Sequence, residues 1–203
     1  MIVTIAGHSY VRDLYNNYSN SCLNDLKINS VNLNFKFIYS PGGKFSTFIN
    51  NECLFDQIVE SKPDILLVIL GGNDLATDVE LSKIKSDCSE FYNLLRQNLA
   101  STYIICSQIE SRFLLRENRF RTPAADTFYF LANNFNNWLK NKSFKDRLLC
   151  IRGPGRLCNP DLYKADKIHL NPVGLNKLFD IIREVLIDTV NNKLNKNVGQ
   201  NLD

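Results

Sequence analysis

Three short segments of this chain hold side chains that together could cleave an ester. Gly7-His8-Ser9 closes the first apolar run and offers a hydroxyl. Asp166-Lys167-Ile168-His169, near the other end, sets a carboxylate close before an imidazole. Gly71-Gly72-Asn73-Asp74 follows the most apolar run and offers a side-chain amide. A serine hydroxyl is a poor nucleophile until a base takes its proton as it attacks. Neutral imidazole suits that task because its unperturbed pKa lies near working pH. The chain has only 2 histidines. His8 adjoins the serine, and neighbouring side chains diverge around a turn, so His169 is the candidate base. Asp166 can accept the Nδ1–H of His169, fixing the tautomer that leaves Nε2 for Ser9. Gly42 and Gly43 let the backbone approach a substrate closely, and Asn73 adds a second kind of donor for a developing oxyanion. Losing one such donor costs on the order of 10²–10³ in turnover.

Each residue also has a plainer role open to it. Ser9 could cap a helix starting at Tyr10, and Asn73 and Asp74 could be turn formers after a strand. His169 could be an ordinary loop histidine before Pro172, with Asp166 capping a short turn. The most cationic run, Arg112-Phe113-Leu114-Leu115-Arg116-Glu117-Asn118-Arg119-Phe120-Arg121, has three readings. It could be a lid presenting Arg112 and Arg116 to a substrate, a phosphate-and-stacking surface for nucleic acid, or a solvated loop with its phenylalanines packed down. Arg152 and Arg156 are equally ambiguous. A net charge of +3 does not by itself argue for nucleic acid or a membrane surface. No phosphate-cradling motif, dinucleotide fingerprint or metal-ligand spacing is present, so no metal is expected.

The elements that must position these groups alternate between short apolar runs and amphipathic ones, the pattern of an α/β sandwich. Strands are expected at Ile2–Ala6, Phe35–Tyr39, Asp64–Leu70, Thr102–Ile109 and Arg147–Arg152. Helices are expected at Tyr10–Tyr18, Leu54–Glu60, Val79–Leu99, Ala124–Lys140 and Leu175–Leu194. The first helix spaces Val11, Leu14, Tyr15 and Tyr18 on one apolar face. Continuous apolarity from Ile65 to Leu70 marks a central parallel strand covered on both faces. The expected architecture is a three-layer α/β/α sandwich around a flavodoxin-like, five-stranded parallel sheet of order 2-1-3-4-5. Such sheets bind ligands beyond the carboxyl ends of their strands, and Ser9, Gly42, Gly43, Gly72 and Asn73 all follow those ends. Residues 1–194 read as one domain and 195–203 as a polar, frayed tail. A hydrophobic content of 44% with 22% charged residues is that of an ordinary soluble globular protein. The 6 cysteines show no C-x-x-C pairing and read as reduced, buried thiols. With no leader peptide or membrane-spanning run in view, the expectation is an intracellular protein, or else a mature form or a domain excised from something longer.

In order and approximate spacing, Gly7-His8-Ser9, Gly43 with Ser46, Gly71-Gly72-Asn73-Asp74 and Asp166-Lys167-Ile168-His169 resemble the blocks of the SGNH (GDSL-type) hydrolases. The resemblance covers nearly the whole chain. It implies a cofactor-independent serine esterase with Ser9 as nucleophile, His169 as base and Asp166 as its support. It also implies an oxyanion hole from the amide of Ser9, a backbone amide of the second block, here Gly43, and the side chain of Asn73; from their positions in the chain, Gly42, Gly72, Arg112 and Arg116 are the candidate substrate-binding residues. Substrates of such enzymes are small-molecule, lipid or carbohydrate esters; lacking a long apolar insertion for an acyl tunnel, this chain favours a short acyl group such as acetyl. The family usually carries Asp where this chain has His8. That Asp braces the nucleophile loop and is not a triad member. His8 therefore either replaces it as a hydrogen-bonding brace or marks a non-catalytic binding module. The absence of the second glycine of a G-x-S-x-G elbow argues against an α/β-hydrolase.

Overall fold

In a computed structural model, residues 1–18, 27–28, 31–110, 125–145, 149–151 and 157–199 are described. Strands β1 (Ile2–Gly7), β4 (Asn34–Tyr39), β5 (Ile65–Ile69), β6 (Tyr103–Ser107) and β7 (Leu149–Ile151) form a 5-stranded sheet of order β4-β1-β5-β6-β7. All its pairings are parallel. This is the 2-1-3-4-5 order expected. A small antiparallel pair, β2 (Lys27–Ile28) with β3 (Val31–Asn32), was not foreseen; two-residue strands carry too few side chains to show a period.

Helices α1 (Ser9–Asn17) and α6 (Pro172–Gly199) cover one face of the sheet, while α2 (Phe45–Asn50), α3 (Glu52–Glu60), α4 (Leu81–Asn98) and α5 (Ala125–Lys145) cover the other. The central strand shows why. Ile65, Leu67 and Ile69 enter the core under α1 and α6, and Leu66 and Val68 enter the opposite core. Side chains alternate across a strand, so a continuous apolar run needs apolar cover on both sides.

Several boundaries move. Helix α6 starts three residues before Leu175, at Pro172, whose missing N–H and preset φ suit a first helical position. It runs on to Gly199, so much of the segment expected to fray is helical. Helix α2 was missed because it is one short element directly after the Pro41-Gly42-Gly43 turn. In α1, Val11 and Leu14 are buried as expected, but Tyr15 is 52% exposed and leans on Phe37 and Tyr39 of edge strand β4. Among the cysteines, Cys88 and Cys106 are buried thiols, whereas Cys53 and Cys158 are exposed ones. The side chains of Cys22 and Cys150 lie outside the described residues.

Candidate active site

Ser9 is the first residue of α1 and lies directly beyond β1. The helix is capped by His8, whose Nδ1 accepts the Tyr10 N–H at 3.4 Å. Ser9 is therefore not the cap, and capping makes no demand on its hydroxyl. As a first-turn residue its own N–H has no partner within the helix. The turn before it is held hard against the neighbouring strand. The His8 amide donates to the Ile69 carbonyl at 3.3 Å. A Cβ at Gly7 would stand 2.2 Å from that same oxygen, so only glycine fits.

Residues 40–43, beyond β4, form a tight turn in which the Gly43 amide donates to the Ser40 carbonyl at 2.8 Å. Pro41 and Gly42, with φ +77° at the glycine, give the chain direction of a type II turn. The Gly43 N–H expected to face an oxyanion thus closes this turn in the resting structure. Asn73 and Asp74, beyond β5, do more than make a turn. Asn73 Nδ2 donates to the Gly43 carbonyl at 3.1 Å, and Asp74 Oδ1 accepts the Phe45 amide at 3.1 Å. These bonds tie the loops after β4 and β5 together. Burial pushes the Asp74 carboxyl up to about 6, against the pull of the Phe45 and Asp74 backbone hydrogen bonds and of Lys44.

The loop between the 3₁₀ turn at Pro160–Leu162 and α6 carries the other half. His169 Nδ1 lies 2.7 Å from Asp166 Oδ2, and Asp166 Oδ1 accepts the amides of Ile168 and His169 at 2.9 Å each. Partial burial alone would raise the Asp166 carboxyl; the hydrogen bonds from the His169 amide, its ring and the Ile168 amide outweigh it and hold the group at about 2. Asp166 is therefore ionised at neutral pH and orients the imidazole. Lys167 adopts φ +54° to make the turn, and Asn171 anchors its far end by donating to the Asp161 carbonyl at 2.6 Å and accepting the Gly174 amide at 3.0 Å.

The two halves meet. Tyr10 Oη, one residue after the serine, donates to the carbonyl of Ile168, one residue before the histidine, at 2.6 Å. Lys164 Nζ also reaches Asp13 Oδ2 of α1 at 3.8 Å. Among the described residues no hydrogen bond joins Ser9 Oγ to His169. Gly72 lines a small cavity with His8 and Tyr10. Arg112 and Arg116 lie outside the described residues. Sequence reasoning missed Tyr10 as the strut between the halves and Asp74 as the tie to Phe45, because both roles depend on contacts distant in sequence. Among the described residues no group of His, Cys, Asp and Glu could hold a metal ion, and no helix is long and apolar enough to cross a membrane.

No family profile matches the sequence, and no curated protein matches it. Solved structures do. The structure is similar to a member of the lipolytic protein G-D-S-L family from Veillonella parvula, with a TM-score of 0.69, 16% identity, and coverage of 91% of this chain and 97% of that one. It is similar to a GDSL-like lipase from Bacteroides thetaiotaomicron, with a TM-score of 0.67, 13% identity, and coverage of 93% and 88%. It is also similar to the acetyl xylan esterase AlAXEase, with a TM-score of 0.65, 12% identity, and coverage of 92% and 100%. At these identities the likeness is one of fold, and the chain has the fold of the SGNH (GDSL-type) hydrolases.

Proposed function

We propose that this protein is a serine ester hydrolase working through an acyl-enzyme. The observation that carries the proposal is the 2.7 Å contact of Asp166 with His169, in a loop that the Tyr10–Ile168 bond fastens to the helix beginning at Ser9. Ser9 Oγ attacks the ester carbonyl carbon as His169 Nε2 takes its proton. The oxyanion is met by the Ser9 amide and the Asn73 side chain, and by the Gly43 amide once the substrate oxygen displaces the Ser40 carbonyl. Collapse of the tetrahedral species breaks the carbon–oxygen bond, and His169 returns the proton to the leaving alcohol. Water, deprotonated by the same imidazole, then releases the acid. Gly42 and Gly72 border the substrate carbonyl. A short acyl group such as acetyl is the proposed acyl part; the acetyl xylan esterase that shares the fold supports this direction, at 12% identity.

Ser9→Ala tests the proposal with short-chain nitrophenyl esters. Turnover should fall to the uncatalysed background while the melting temperature stays within a few degrees. Wild-type turnover in folded Ser9→Ala would remove Ser9 as the nucleophile. A second reading, a non-catalytic binding module of the same fold, is favoured by one observation: the Gly43 amide is engaged with Ser40. Failure of a fluorophosphonate probe to label folded wild-type protein would favour that module.

A further inference from the structure

Helix α1 buries a carboxylate that the proposed chemistry does not use. Asp13 is 7% exposed and stands four residues after Ser9 and three after Tyr10, so the three share one helix face. A buried charge is costly unless it is paired. Two cations meet this one, and they come from different elements. Arg12, its neighbour in α1, donates Nε and Nη2 to Oδ1 at 2.9 and 2.7 Å. Oδ2 has no hydrogen-bond partner among the described residues, and its counter-charge is Lys164 Nζ at 3.8 Å.

Lys164 is the residue on which the His169 loop closes. Its amide donates to the His169 carbonyl at 2.7 Å, and its carbonyl accepts the Lys167 amide at 2.8 Å. Asp166 holds the amides of Ile168 and His169 from within. A segment bonded to itself in this way moves as one body. Its internal bonds fix its shape, but not where the imidazole stands relative to Ser9. That placement falls to bonds that leave the loop, and two of them run to the helix that begins at the serine. Tyr10 Oη donates to the Ile168 carbonyl at 2.6 Å, and Asp13 pairs with Lys164. Ile168 and Lys164 flank Asp166 in the chain, so each tether opposes rotation of the loop about the other. We propose that Asp13 and Lys164 are positioning residues, their ion pair being the second tether that sets His169 relative to Ser9. Lys164 is half exposed, so the pair adds little to overall stability. The catalytic consequence rests on the esterase reading; the tether does not.

The test compares Lys164→Met, Lys164→Arg, Tyr10→Phe and the double variant Tyr10→Phe/Lys164→Met with wild type. Lys164→Met keeps the backbone bonds of the loop and removes only the charge. For a short-chain nitrophenyl ester its kcat should fall on the order of 10-fold with KM little changed, as misplacement of a reacting group does. Its melting temperature should stay within a few degrees of wild type. Lys164→Arg, which keeps the charge, should restore most of kcat. With both tethers gone, the double variant should lose more than the product of the two single losses. Wild-type kcat in Lys164→Met, or a loss that Lys164→Arg fails to restore, overturns the proposal. So does a double variant no slower than Tyr10→Phe alone. A second readout needs no activity. The chain has 2 histidines, so comparison with His169→Gln assigns the His169 ring signals by NMR. Lys164→Met should shift those signals and Lys164→Arg should return them; unchanged signals in Lys164→Met overturn the tether. If wild type proves inactive while the signals shift, the esterase reading fails and the tether stands.

Discussion

The loop that carries Asp166 and His169 and the turn that carries Ser9 are built on opposite principles. Between Lys164 and His169 the bonds are local. The Asp166 carboxylate holds residues 168 and 169, the Lys167 amide reaches the Lys164 carbonyl at 2.8 Å, and the Lys164 amide reaches the His169 carbonyl at 2.7 Å. The turn at Gly7–Ser9 instead rests on Ile69, far away in sequence, and has no room for a side chain at Gly7. The two aspartates of the site divide in the same way. Asp166, partly solvated and met by several donors, is held at about 2, while Asp74, buried with one oxygen unpartnered among the described residues, is pushed up to about 6. A locally closed, half-solvated loop can be altered at a modest expense in stability. A turn defined by core packing cannot be altered without touching the fold.

That contrast can be broken most sharply at Asp166. Asp166→Asn removes the acceptor that fixes the His169 tautomer, and kcat should fall on the order of 10³–10⁴-fold with the melting temperature within a few degrees of wild type. A matching collapse in thermal stability would show that the loop is not autonomous. Gly7→Ala should do the reverse. Its Cβ would meet backbone, which cannot swing aside, so denaturant unfolding should show a loss of about 1–3 kcal/mol or more, with activity falling in step with the folded fraction. Full stability in that variant would mean the strands yield more readily than the packing implies.

The smallest effect expected is in pH dependence. Asp74 has a folded pKa raised above its ordinary 3.8. Between about pH 6 and pH 4 the folded protein therefore holds a proton that the unfolded chain has lost, and this group's contribution makes stability rise as pH falls through that window. Asp166 has the opposite sign. Its folded pKa is lowered to about 2, so its contribution is complete above about 4 and is lost as pH falls towards 2. Urea midpoints of Asp74→Asn and wild type across pH 4–7 isolate the first term. The variant should lose the rise on acidification and be at least as stable as wild type at pH 7, and an unchanged slope would contradict the burial of Asp74.

What the sequence made legible follows the same division. Asp166 and His169 could be paired from spacing alone because their contact closes within one turn of chain. The run Ile65–Leu70 announced a strand covered on both faces because both faces are apolar. Glycines and polar residues after strand ends marked the candidate site, and the parallel topology sets them at one end of the sheet. Legibility stopped where a role depends on a distant partner. Tyr10 gives no local sign that it will meet Ile168, nor Asn136 that it will grip Ile109. Ser9 was open to reading as a helix cap because serine caps well, and only the fold hands that task to His8. The engagement of the Gly43 amide by Ser40 was likewise hidden, although Pro41-Gly42 carries the signature of the turn that causes it.

The central claim is that Ser9 and His169 act as one reactive unit despite their separation in sequence. The rate at which a fluorophosphonate forms a covalent adduct at Ser9, located by peptide mass spectrometry, tests it most directly in wild type and His169→Gln. The account predicts labelling of Ser9 in wild type and a rate lower by at least about 10³-fold in the variant, since the hydroxyl then has no base. Equal labelling rates in the two proteins would contradict it.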